Sequence, residues 1–327
     1  DYLLVATGTG DIGANGTYSL SGGTDSGTVD AADYCDALDA FGYELGTGAV
    51  AVPGQALNAN AGDSDVANRV IAHCVANNRI GILAGESDWN LDEIQDNSNY
   101  FDVVDADRVS VYYPWVKIPD GAGGTFDISP EAYVAGVRAR AHIEVGPWKP
   151  GAGTISIARY VTGLAVPSGV TYDRSAADTL DAAQINTIRV IANTVRVYGV
   201  NTLSGDVDNW RFNSYRDTVN YIVELVEDAL EPYVFTTIDA RGGVLSQIEA
   251  TTRGILDPLT ISGGLYPLLN AEGIEIDPGY AVIANGSNNT QASLSEGKIN
   301  VTIGLRVSAV SEMINVTIYK SGLTSPV

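Results

Sequence analysis

Between residues 64 and 116 the apolar period of the chain changes from helical to strand-like and back, and this limits the fold more than any other feature. "SDVANRVIAHCVANN" (64–78) places Val66, Val70 and Cys74 on one helical side, with Ser64 or Asp65 available as a cap. "RIGILAG" (79–85) and "RVSVYYPWV" (108–116) are short apolar runs that read as strands. The alternation extends back to "YLLVAT" (2–7), a strand, and to "ADYCDALDAFGYEL" (32–45), a helix with Tyr34, Leu38, Phe41 and Leu45 on one face. "AVAVPG" (49–54) is a short buried strand stopped by Pro53 and Gly54. Strands joined by helices of this length predict right-handed crossovers and an α/β fold, its sheet largely parallel and flanked by helices.

Further along, the Gly-rich "PDGAGGTFDISPE" (119–131) reads as a surface loop, and "PEAYVAGVRARAH" as a helix with Pro130 near its start. "GPWKPGAGT" (146–154) is another loop, and 175–191 is mixed. A strand at 195–198 then leads through Gly199 and a polar loop into an amphipathic helix from Trp210 to Glu231. A helix over 244–259 and a strand over 279–286 follow. In "KINVTIGLRVSAV" the residues Ile299, Val301, Ile303, Leu305 and Val307 alternate with polar ones, the period of a half-buried strand. "MINVTIYK" (313–320) repeats that pattern with Ile314, Val316 and Ile318. No fixed-period repeat runs through the chain.

Composition removes several function classes. A formal net charge of -22 repels a phosphate backbone, which argues against nucleic-acid binding. No run of apolar residues is long enough to span a membrane, and no secretory signal is present, so membrane insertion is not expected. Cys35 and Cys74 make no disulfide framework and read as buried thiols in helices.

The chemical motifs are weak. Gly8, Gly10 and Gly13 spell G-x-G-x-x-G after a strand, but "ANGTYSLSGG" follows where a dinucleotide site needs a helix. The histidines, His73 and His142, read as structural, and no serine sits in a G-x-S-x-G elbow. The acidic loops "GDSD" (62–65) and "DGAGGTFD" (120–127) lack the ligand spacing of a calcium site. Trp115, Trp148 and Trp210, each beside Pro, Lys or Arg, read as loop or interface anchors. The expectation is no catalytic residue, no cofactor and no metal.

The order of blocks along the chain is more specific. Tyr112 to Trp115 ("YYPW"), Val134 to Val137 ("VAGV") and Gly146 to Pro150 ("GPWKP") are followed by Arg196, Tyr198, Gly199 and "NTLSGDVDNWRF". An asparagine–threonine loop, "NNTQASLSEGK", and two closing strands end the series. Together these resemble the contractile tail sheath proteins of phages, over nearly the whole chain. Two departures stand out: the helix after "WRF" carries Arg216 alone where relatives often have a pair, and the family's strand-donating N-terminal segment is not present ahead of Asp1.

The resemblance implies a subtilisin-like α/β core without a working triad, expected over 1–200. It also implies a smaller α+β C-terminal domain facing a tube, expected over 201–327 with a terminal strand arm. Such subunits stack as six-membered rings around a tail tube and contract to drive it through a target envelope. The implied partners are other copies of the chain, the tail tube protein, and baseplate and tail terminator proteins. The implied location is the virion tail, assembled in the host cytoplasm. A sheath of a type VI secretion or extracellular injection system is the alternative, and an α/β nucleotide-binding enzyme a distant one. Arg196, Arg211, Arg216, Ile314, Val316 and Ile318 are the expected subunit or tube contacts. Charge reversal at Arg211 or Arg216 is accordingly expected to impair assembly while leaving the subunit's melt nearly unchanged.

Overall fold

Residues 29–55, 66–98, 106–239, 241–312, 314 and 316 are described by a computed structural model. The chain divides into two units, 1–30 and 31–327, and every element below lies in the second. The strand expected at 2–7, the glycine motif at 8–13, the acidic loop at 62–65 and Ile318 lie outside the described residues.

The central sheet is built from the apolar runs. Its strands are β1 (Gly48–Val50), β2 (Arg79–Ala84), β3 (Val109–Tyr113), β7 (Asn186–Ile191) and β8 (Thr194–Tyr198), in the order β1-β2-β3-β7-β8. The first three joins are parallel, and β7–β8 is an antiparallel hairpin that sets Arg189 opposite Arg196. Every residue of β2 and β3 is buried, because a parallel sheet is covered on both faces. The pleat sorts their side chains. Leu83, Val109, Val111 and Tyr113 face a cluster with Leu38 of α1 (Ala31–Asp39), Val70 and Cys74 of α2 (Val66–Ala76), Ile94 of α3 (Leu91–Ser98) and Leu180 of α5 (Arg174–Ala182). Ile82 and Tyr112 face the other way, against Tyr133, Val134 and Val137 of α4 (Glu131–Glu144). Gly81 lets α2 approach, since a Cβ there would lie 2.9 Å from Val70 Cγ1.

Three expectations are corrected locally. The helix expected over 32–45 ends at Asp39, and Gly42 precedes a separate turn over 43–45; Phe41 and Leu45 are consequently 53% and 61% exposed. The strand expected over 108–116 is two strands in two sheets. The chain leaves β3 at Pro114, which has no N–H for a ladder, and β4 (Trp115–Pro119) pairs instead with β5 (Thr125–Ile128) and β6 (Gly163–Ala165). The Gly-rich loop expected over 119–131 is therefore mostly a hairpin. Its tip is tied by the Asp120 carboxylate, which accepts the N–H groups of Ala122 (2.7 Å) and Gly124 (2.8 Å).

The remaining elements carry their own core. After α6 (Val207–Trp210), α7 (Asn213–Leu230) and α8 (Gly243–Ile261) pack together, and a small hairpin of β9 (Leu268–Leu269) and β10 (Glu275–Asp277) follows. β11 (Tyr280–Ile283) then pairs antiparallel with β12 (Thr302–Leu305) across α9 (Gln291–Ser295). Ile222, Leu256, Leu259, Leu265, Tyr280 and Val282 form the apolar centre, with Ile303 and Leu305 against it, as their alternation predicts. The asparagine–threonine loop is structural. Asn289, 4% exposed, accepts the N–H of Asn300 (2.6 Å) and donates to its carbonyl (2.9 Å), standing in for a missing strand partner.

Glu131, 1% exposed at the start of α4, gives the core a pH dependence. Burial pushes its carboxyl from 4.5 up to about 7, against the opposing hydrogen bonds of Ser129 and of the backbone at Glu131 and Gly54. A carboxyl raised on folding contributes stability below its unfolded value and loses it as pH rises through the folded one. Glu131→Gln should therefore gain about 2–3 kcal/mol relative to the parent between pH 5 and pH 8. Urea unfolding at the two pH values measures this, and a gap that does not move with pH would show an ordinary carboxylate.

Candidate assembly surface

The polar stretch after β8 is a closed loop rather than a linker. Asn201 bridges to Phe212, Thr202 N–H donates to the Arg211 carbonyl (2.7 Å), and the Thr202 hydroxyl donates to the Trp210 carbonyl (2.6 Å). Asp206 caps α6 through the N–H of Asn209. Gly199 is required at the entry, because a Cβ would stand 2.8 Å from Asn186 Oδ1 and 3.0 Å from its Cα. The helix expected from Trp210 to Glu231 accordingly begins only at Asn213, as α7, after the separate short α6.

This loop separates the expected contact arginines. Arg216 turns inward: it pairs with Asp107 and lies over the Trp210 ring at 3.6 Å, its side chain 13% exposed. Arg211 turns outward, with 40% of its side chain exposed, and pairs with Glu312 at 2.7 Å. Arg196 is half-buried on the edge strand β8, where its Nε donates to Thr194 Oγ1 (2.8 Å). The three do not converge. Reversal at Arg216 without effect on the melt is not compatible with a cation buried against Asp107 and Trp210.

The Arg211–Glu312 pair tethers the C-terminal arm. From β12 the chain runs back along the subunit: Val307 bridges to Leu265, Ser308 N–H donates to Gly264 (3.1 Å), and the backbone of Val310 meets the Tyr215 hydroxyl. Past Glu312 the described side chains Ile314 and Val316 are 81% and 74% exposed. Among the described residues, these are two large aliphatic side chains at alternate positions, left in solvent beyond a surface ion pair.

The edge at β8 is closed by contrast. Ser156 Oγ accepts the N–H of Val197 (2.9 Å), and the Tyr133 hydroxyl, which donates to the Ser156 carbonyl (2.6 Å), lies over the Val195 carbonyl, so side chains block strand addition there.

The histidines occupy cavities with other occupations. His73 lines a cavity of about 250 Å³ with Phe41, Ala72 and Ala76, and its Nε2 lies 2.7 Å from Arg79 Nη1. Burial, then the Arg79 charge, holds His73 below its ordinary value, so it is neutral and accepts from Arg79. Arg79 also donates to the carbonyls of Phe41, Gly42 and Gly46, pinning the turn that interrupts the first helix. His142 borders a cavity of about 80 Å³, with Nε2 3.4 Å from Asp217 Oδ2. Asp217 is committed to Arg138 through a two-pronged contact, Arg138 Nε to Oδ2 being 2.8 Å. Among the described residues no group of His, Cys, Asp and Glu could hold a metal ion, and no helix is long and apolar enough to cross a membrane.

The Arg138–Asp217 pair, Asp107 and Glu312 escaped the sequence reading. A signal existed for the first. The opening turns of α7 bury Asn213, Ser214, Asp217, Thr218 and Asn220, so its inner face is polar where an apolar stripe was expected. Such a face requires facing partners, which β3 and α4 supply: Asn213 donates to Tyr112 (3.1 Å), and Arg138 meets Asp217. The tryptophans are anchors. Trp115 Nε1 donates to the Gly85 carbonyl (2.8 Å), and Trp148 packs on the second core so closely that a Cβ at Gly264 would lie 2.6 Å from its ring.

The described residues form an α/β body, with Ile314 and Val316 exposed at its C-terminal side. Residues 27–203 match the family model described as the phage tail sheath protein central domain, and the chain belongs to that family of structural sheath proteins. No curated protein matches the chain. Its fold is similar to the contracted helical sheath of the anti-feeding prophage, at 21% identity and TM-score 0.65, over 93% of this chain and 77% of that one. It is also similar to the contracted sheath complex of the extracellular contractile injection system PVC, at 23% identity and TM-score 0.63, over 79% and 68%. A chain of the anti-feeding prophage baseplate matches at 22% identity and TM-score 0.62, over 80% and 66%.

Proposed function

We propose that this chain is the structural subunit of a contractile sheath, one that polymerises as stacked six-membered rings around a tail tube. Contraction of the polymer drives the tube through a target envelope, and the subunit catalyses no reaction. Family membership supports the sheath role, and the arm carries the assembly role: Ile314 and Val316 present a strand for another copy to pair. The tube, baseplate and terminator proteins are the partners of such a polymer, and the virion tail, assembled in the host cytoplasm, is its place.

A subtilisin-like core over 1–200 and a tube-facing domain over 201–327 fit the distribution of apolar clusters. The buried residues of two lie within 38–203 and those of the other two within 222–284, with Trp148 of the first part packed against the latter. Ion pairs such as Arg138–Asp217 bind α7 to the first part. A sheath of an extracellular injection system is the second reading, favoured by the likeness to the PVC and anti-feeding prophage sheaths. Neighbouring capsid and portal genes would decide for the phage.

Negative-stain microscopy of the purified chain should show tubes, and truncation after Glu312 should leave a folded subunit that forms none. A parent without tubes contradicts the sheath role, and a truncated chain that assembles like the parent contradicts the role of the arm.

A further inference from the structure

Phe235 is 102% exposed and has a φ of 65°, a conformation costly for a bulky side chain. It occupies the third position of a turn: Thr236 N–H donates to the Tyr233 carbonyl (3.1 Å), and Val234 has φ -64° and ψ 133°. This is a type II turn, whose third position favours glycine. A ring held there in solvent contributes nothing to the fold of its own subunit and strains the backbone, a combination that points to a partner. Val234 beside it is 57% exposed. Asp228 and Glu231, both exposed, give this corner between α7 and α8 an acidic rim.

The complementary surface lies elsewhere on the same chain. Arg140 donates to the carbonyls of Ile155 (3.0 Å) and Ile157 (2.9 Å), which places it beside the exposed Arg159 and the 69% exposed Tyr160. Ile143, one turn along α4, is 86% exposed. Among the described residues neither Arg140 nor Arg159 has a carboxylate within ion-pair distance, in a chain of net charge -22. His142, two residues from Arg140 and so on the opposite side of α4, contacts Asp217 in the first turns of α7, which leaves this basic, apolar face turned away from α7. The Phe235 corner follows the last turn of α7, about 20 Å away along the helix at 1.5 Å per residue. One subunit cannot close that distance on itself.

We propose that the Val234–Phe235 corner of one copy docks on the Arg140–Arg159–Tyr160 face of a second copy, with Glu231 meeting Arg159. The opposite signs of the two rims select this pairing, and two different patches on one chain make a head-to-tail contact that propagates into a polymer. The inference rests on the sheath reading and adds a second lattice contact to the terminal arm.

Phe235→Gly removes the ring and the strain together. The subunit's Tm should be unchanged or up to about 2 °C higher, while self-association in sedimentation weakens about tenfold or more. Arg159→Glu should weaken it likewise, and adding Glu231→Arg should restore assembly to Arg159→Glu but not to Phe235→Gly. Assembly of Phe235→Gly at the parent's concentration, a Tm loss of more than about 5 °C, or failure of the charge swap to rescue would each overturn the docking while the sheath reading stands. A parent that remains monomeric overturns both.

Discussion

Asp217→Ala should lower the free energy of unfolding by about 3–5 kcal/mol, because it strands a buried cation. Arg138 is 8% exposed, and the Asp217 side chain is 2% exposed. Without the carboxylate, the Arg138 guanidinium has no counter-charge in a site closed by α4 and α7. Arg138→Met with Asp217→Leu should cost much less than either single change, since the apolar pair has no charge to desolvate. The pH dependence follows from the carboxyl. Burial alone would raise its pKa, but Arg138 and His142 outweigh burial and hold it below 3.8. A depressed carboxyl contributes stability above its unfolded value and loses it as pH falls through the folded one. The gap between parent and Asp217→Ala should be full at neutral pH and close only in strong acid. Denaturant unfolding across pH measures it, and a single mutant within 1 kcal/mol of the parent would show that water hydrates Arg138.

Arg216→Glu should be equally severe, and for the subunit rather than the polymer. It replaces a cation stacked on Trp210 with a second carboxylate against Asp107, whose side chain is 8% exposed. Loss of the stacking, loss of the pair and like-charge repulsion at low exposure together amount to about 4 kcal/mol or more, a Tm fall on the order of 10 °C. Arg211→Glu is the control. Its pair with Glu312 is solvent-exposed, so the melt should move by no more than about 1 kcal/mol, while repulsion from Glu312 frees the arm. Calorimetry of the two variants separates a folding defect from an assembly defect, and equal melts would show that Arg216 is not held as its contacts require.

The strand runs of β2 and β3, the helix of α2 and the parallel sheet that joins them were legible because both faces of that sheet are covered. A strand buried on both sides is apolar at every position, as Arg79 to Ala84 nearly is, and its crossover helix repeats with Val66, Val70 and Cys74. The alternation of Ile303 and Leu305 was legible for the complementary reason, one face of β12 being wet. The order of blocks carried the family resemblance, because each block meets a demand of the backbone: Gly199 avoids Asn186, and Asn289 completes the ladder of Asn300.

What the sequence could not show depends on which distant residue faces which. The chain leaves its sheet at Pro114 because β5 and β6 offer β4 another ladder, and those strands lie up to fifty residues away. Arg211 and Arg216 are five residues apart on similar sequence, yet one holds the arm at the surface and the other is buried on Trp210. The polar inner face of α7 reads as exposed until Arg138 and Tyr112 come to meet it. Local periodicity records how much of an element is buried, because burial is a property of each position. Charge pairing is a property of two positions brought together by the fold, and only the tertiary structure decides it.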